Sequence, residues 1–131
     1  MKVLALDYGS ARTGVAVSDP TGTLARPLEV VENASTTAGL KRLAELVERE
    51  GVERIVVGLP VTLRGERGAQ AEETEAFVAA LRAVTEVPIE SFDERFTTKL
   101  AEAQPSEAPS DAVAAAHLLS TYLEWKSALP R

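Results

Sequence analysis

Two short apolar runs, Val3 to Leu6 and Val15 to Val17, flank the polar and glycine-bearing stretch from Asp7 to Gly14. This pattern predicts a β-hairpin whose first strand ends in a carboxylate. After a turn at Asp19-Pro20-Thr21-Gly22, Leu24 to Val31 predicts a third strand. Pro27 places it near a sheet edge, because proline cannot donate to a ladder. The period then changes. Asn33 to Thr37 offers helix-capping side chains, and Leu40, Leu43, Ala44 and Val47 follow at helical spacing, so a helix is expected to run to Gly51. Val52 to Gly58 predicts a buried strand and Val61 to Gly68 a loop. Ala71, Thr74, Phe77, Val78 and Leu81 predict a second helix, and Val87 to Phe92 another strand.

Beyond that strand come Asp93-Glu94-Arg95-Phe96-Thr97-Thr98, a short helix-like stretch to Gln104, and a loop over Pro105 to Pro109. Ser110 is placed to cap a last helix that Asp111 opens and that runs to about Lys126, with Ala112, Ala115, Ala116, Leu119 and Leu123 on one face. The order β-β-β-α-β-α-β-α combines an antiparallel meander with helix-linked strands, which run parallel to one another. A mixed α/β sheet follows.

The 131 residues, 45% of them hydrophobic, suit a single domain spanning 1–131 with a proper core. Cysteine is absent, which excludes thiolate metal sites and leaves carboxylates or His117 as ligands. No apolar run approaches the roughly 18 residues of a membrane span, and Met1 leads directly into a strand, so a soluble, cytoplasmic protein is expected. The net charge of −6 opposes a general nucleic-acid coat, whose affinity needs a basic surface, but leaves room for local basic patches.

Three carboxylates then acquire a common property. Asp7 ends the first strand, Glu94 follows the last strand, and Asp111 begins the final helix, and α/β sites gather where strand ends meet helix starts. Such carboxylates repel one another without a cation, and hard oxygen donors suit Mg²⁺ or Mn²⁺. Two such ions could activate water and stabilise the leaving oxygen in phosphodiester hydrolysis. Separate roles are the alternative: a turn Asp, a surface Glu, and an Asp at a helix N-terminus. Asp93 competes with Glu94 as ligand. Gly9 and Gly14 are read as turn glycines that let a ligand approach the main chain.

Leu6-Asp7-Tyr8-Gly9 with Arg12-Thr13-Gly14-Val15-Ala16, Gly58-Leu59-Pro60, Asp93 to Thr98, and Asp111 to Ala115 together resemble the YqgF family, also called RuvX. The resemblance covers nearly the whole chain. It implies a ribonuclease H-like fold with a five-stranded sheet in the order 3-2-1-4-5, and a Mg²⁺- or Mn²⁺-dependent nuclease that matures the 5′ end of pre-16S ribosomal RNA. It also implies kinship with Holliday-junction resolvases. Carried over by position, Asp7, Glu94 and Asp111 match the metal-holding acidic residues. Arg12 and Arg95 match arginines suited to gripping substrate phosphate.

Gln104 to Ser110 is shorter and less basic than the family's usual segment, which bears on the strength of nucleic-acid binding. Arg95 could instead pair with its acidic neighbours, and Arg64 and Arg67 read as solvated loop charge unless that loop overhangs the site. His117, Tyr122 and Trp125 read as packing or surface residues. An actin-like ATPase shares the Asp-x-Gly turn but needs a second domain. A non-catalytic ribosome-assembly or transcription module could keep the fold with vestigial carboxylates.

Overall fold

The computed structural model describes residues 1–59, 68–93 and 110–128. Strands β1 (Val3–Asp7), β2 (Arg12–Ser18) and β3 (Ala25–Glu32) are followed by helix α1 (Thr37–Glu50), β4 (Arg54–Leu59), α2 (Ala69–Arg82), β5 (Ile89–Asp93) and α3 (Ser110–Ala128). The five strands form one sheet in the order β3-β2-β1-β4-β5. β2 runs antiparallel to β1 and β3, whereas β1, β4 and β5 are parallel. β1 is therefore central, and β3, with Pro27, lies at an edge.

Period-two alternation sorts the sheet into two faces. Leu4, Leu6, Val15, Val17, Ile55 and Val57 pack against Leu43, Leu46 and Val47 of α1 and Phe77, Val78 and Leu81 of α2. Val3, Ala5, Ala16, Val56 and Phe92 turn the other way and meet Ala115, Ala116, Leu118, Leu119, Tyr122 and Leu123 of α3. Each fully buried Leu or Val contributes about 1.5–3 kcal/mol from burial, which gives the two apolar layers ample driving force.

Helix ends follow local chemistry. Thr36 Oγ1 accepts the Gly39 N–H at 3.2 Å at the start of α1. Gly51 ends that helix at φ 65°, the left-handed conformation that glycine adopts without a steric penalty.

β2 is longer than the apolar run suggested. Its polar first residues, Arg12 and Thr13, are in the ladder, opposite Glu32 and Val31 of β3. β4 starts at Arg54 and reaches Leu59, and α3 extends two residues past Lys126. Among the described residues no helix is long and apolar enough to cross a membrane.

Candidate active site at the carboxyl edge of the sheet

Because β1, β4 and β5 are parallel, their carboxyl ends share one edge of the sheet, and that edge carries Asp7, Leu59 and Asp93. Asp7 stands two residues beyond Ala5, so the strand alternation turns it toward the α3 face with Val3 and Ala5. Across the ladder it pairs with Gly14, which lies on that same face two residues before Ala16.

Gly14 is where α3 touches down. A Cβ on it would overlap the Asp111 main-chain carbonyl outright and would stand 3.0 Å from the Ala112 nitrogen. The first turn of α3 thus rests on a bare patch of β2, directly beside Asp7. Asp111 and Asp7, 104 positions apart in the chain, are brought together through this one residue. The reading of Gly14 as a turn glycine is corrected here: it lies within a strand, and what approaches its main chain is the start of a helix.

Arg12 is on the same face, one alternation further along β2. Its Nε stands 3.3 Å from Asp111 Oδ2, with 64% of the arginine side chain and 35% of the aspartate side chain exposed. The arginine expected at phosphate is thus paired in this structure with one of the expected ligands. At the other face, Tyr8 is buried and stacks on Phe77 of α2 with centroids 4.3 Å apart, its hydroxyl 3.3 Å from Glu73 Oε1. Asp7 is thereby bracketed: Tyr8 secures the chain to one layer while Asp7 faces the other.

Asp93 pairs with Leu59 of β4. Phe92 packs in the α3 layer, and alternation therefore sends Asp93 to the α1 and α2 face with Ile89 and Ser91. Asp7 and Asp93 are also two strands apart, about 10 Å at ordinary strand spacing. Glu94, Arg95, Arg64 and Arg67 lie outside the described residues. Among the described residues, no three His, Cys, Asp or Glu side chains stand close enough to share an ion. Asp7 and Asp111 supply hard, partly solvated oxygen donors, the chemistry that Mg²⁺ and Mn²⁺ take.

The opposite end of the sheet is different. Tyr122 OH donates to Glu90 Oε2 at 2.7 Å, and Arg54 Nη1 donates to the same oxygen at 2.9 Å. Burial and the Glu90 carboxylate push the Tyr122 phenol up to about 12. Burial raises Glu90, but the hydrogen bonds from Tyr122 and Arg54 outweigh it and hold the carboxyl below its ordinary value. Trp125 packs on Phe92 and Tyr122 with centroids 5.4 and 6.1 Å away. Tyr122 and Trp125 are thus packing residues, as their helix-end position suggested. The sequence did not flag the Arg54–Glu90–Tyr122 cluster, whose members are 36 and 32 positions apart.

The family model described as RuvX, Holliday junction resolvase, matches residues 1–125. The chain belongs to the RuvX family. Among its relatives is a Rubrobacter xylanophilus protein 47% identical over 94% of this chain and 92% of its own length. A Chloroflexus aurantiacus protein is 39% identical over 98% and 90% respectively. Both carry the provisional name pre-16S rRNA nuclease. Among solved structures, T. thermophilus RuvC in complex with a Holliday junction substrate has a TM-score of 0.68 at 19% identity, covering 98% of this chain and 97% of that one. Fowlpox virus resolvase, with a TM-score of 0.56 at 12% identity, covers 96% and 99%. This RuvX chain accordingly has the ribonuclease H-like architecture: a five-stranded mixed sheet in the order 3-2-1-4-5 between helical layers.

Proposed function

We propose that this RuvX chain is a metal-dependent nuclease that hydrolyses phosphodiester bonds at the 5′ end of pre-16S ribosomal RNA in the cytoplasm. The observation that carries this reading is the meeting of Asp7, at the end of the central strand, with Asp111, at the start of α3, across Gly14. The names of relatives at 39% and 47% identity favour the ribosomal RNA precursor over a four-way DNA junction as substrate.

Asp7 and Asp111 are assigned as ligands of Mg²⁺ or Mn²⁺. The third carboxylate is assigned to Glu94, the position the family resemblance supplies, because Asp93 belongs to the face of β5 opposite the one that Asp7 takes on β1. Bound there, a divalent ion supplies an activated water and charge stabilisation for the leaving oxygen.

The protein's own residues do the rest. Asp7 and Asp111 are held by a strand and a helix, so the donor set is fixed before substrate arrives, and little reorganisation is needed. Arg12, largely exposed, can turn its fork to a phosphate oxygen and orient the scissile strand; Arg95 is assigned the same task.

The test is a cleavage assay comparing a pre-16S 5′ fragment, unstructured single strands and a four-way DNA junction in Mn²⁺ and in EDTA. Metal-dependent cutting of the ribosomal precursor is expected. Preferred cutting of the junction would identify a resolvase, and no cutting of any substrate would leave a non-catalytic assembly factor.

A further inference from the structure

We infer that Gly14 is a positioning residue of the metal site: having no side chain, it sets the distance between Asp7 and Asp111. This rests on the metal-site reading proposed above.

On the α3 face small residues cluster on the approach to the carboxyl edge: Ala5 on β1, Ala16 and Gly14 on β2, and Ala115 and Ala112 on the helix, whose bulkier Leu123 and Tyr122 lie at the far end. Gly14 is the smallest of them. There the Asp111 carbonyl occupies the space of a Cβ. The contact is main chain on main chain, so no rotamer change relieves it; any side chain at this position must lift the first turn of α3. Asp7 is fixed meanwhile by its ladder partners and by Tyr8 stacked beneath. Lifting the first turn of α3 therefore moves Asp111 away from Asp7, and away from its partner Arg12 as well. A displacement on the order of 1 Å among reacting groups is enough to cost about 10²-fold in rate.

A merely structural glycine would predict something else. Gly39, on α1, is packed as tightly, with a Cβ there falling 2.5 Å from Ala34 Cα, but it lies in the opposite layer. It is the control for lost stability without a lost site.

The experiment measures Mn²⁺ affinity by calorimetry, without substrate, together with thermal melts of the wild type, Gly14→Ala, Gly39→Ala and Asp7→Asn. Gly14→Ala is expected to melt cooperatively and to bind Mn²⁺ about tenfold or more weakly, whereas Gly39→Ala loses stability and keeps wild-type affinity. Asp111→Glu, one methylene longer, should weaken Mn²⁺ binding alone but partly restore it in the Gly14→Ala background. Should Gly14→Ala not fold, Ala16→Ser decides: one added atom at the next α3-facing position should weaken Mn²⁺ binding in the same direction, to a smaller extent. Wild-type Mn²⁺ affinity in Gly14→Ala, or equal losses in both glycine variants, would overturn the role of Gly14. Equal Mn²⁺ binding by the wild type and Asp7→Asn would instead overturn the metal site itself.

Discussion

Arg12 Nε lies 3.3 Å from Asp111 Oδ2, joining the first residue of β2 to the first turn of α3 at the site edge. With 64% of the arginine side chain in solvent, such a pair is worth about 0–1 kcal/mol. It holds the two elements in register loosely enough for a phosphate to draw the guanidinium away.

Arg12→Ala is therefore expected to weaken RNA binding more than Arg82→Ala, an exposed change in the last turn of α2. Removing one arginine–phosphate interaction should also make the logarithmic salt dependence shallower by about 0.9 or less. Fluorescence anisotropy across a salt series measures both. Equal losses from Arg12→Ala and Arg82→Ala would indicate a diffuse field with no docking site.

Asp7→Asn should leave the fold and melting temperature close to wild type while removing metal-dependent cleavage. The amide matches the carboxylate in shape but carries no negative charge for a divalent ion. A loss on the order of 10²-fold or more in single-turnover rate is expected. Wild-type turnover by the folded variant would take Asp7 out of the chemistry.

Tyr122 predicts an alkaline limit to stability. Its phenol is raised in the folded state from 10.0 to about 12, by burial and by Glu90. A raised folded value means that this contribution is fully present below pH 10 and is lost as pH rises from 10 through 12. Spectrophotometric titration should show Tyr122 ionising late, and Tyr122→Phe should flatten the fall in melting temperature over that window. A wild-type Tyr122 titrating at the ordinary value would contradict the Glu90 hydrogen bond.

Much of this was legible in the sequence because two hydrophobic patterns carry it. Short apolar runs at Val3 to Leu6 and Val15 to Val17 marked the central hairpin, and Ala112, Ala115, Ala116, Leu119 and Leu123, all buried and at helical spacing, marked the face of α3. Asp7 and Asp111 stood out because each occupies the end of an element, where polar groups gather.

What was hidden depends on space across the fold. Gly14 read as a turn glycine, because sequence shows that a side chain is missing but not what occupies its place. Arg12 and Thr13 read as loop because their polarity masks their ladder partners on β3. The direction of Asp93 was hidden because it depends on Phe92 packing in the α3 layer, which turns Asp93 to the other face of β5. The Arg54–Glu90–Tyr122 cluster joins three separate elements and leaves no local signature.

The most direct measurement is anomalous diffraction from crystals soaked in Mn²⁺. Density is expected between the Asp7 and Asp111 carboxylates at the α3 end resting on Gly14, and it should vanish in Asp7→Asn crystals. Density elsewhere, or none at that edge, would contradict a metal-dependent active site there.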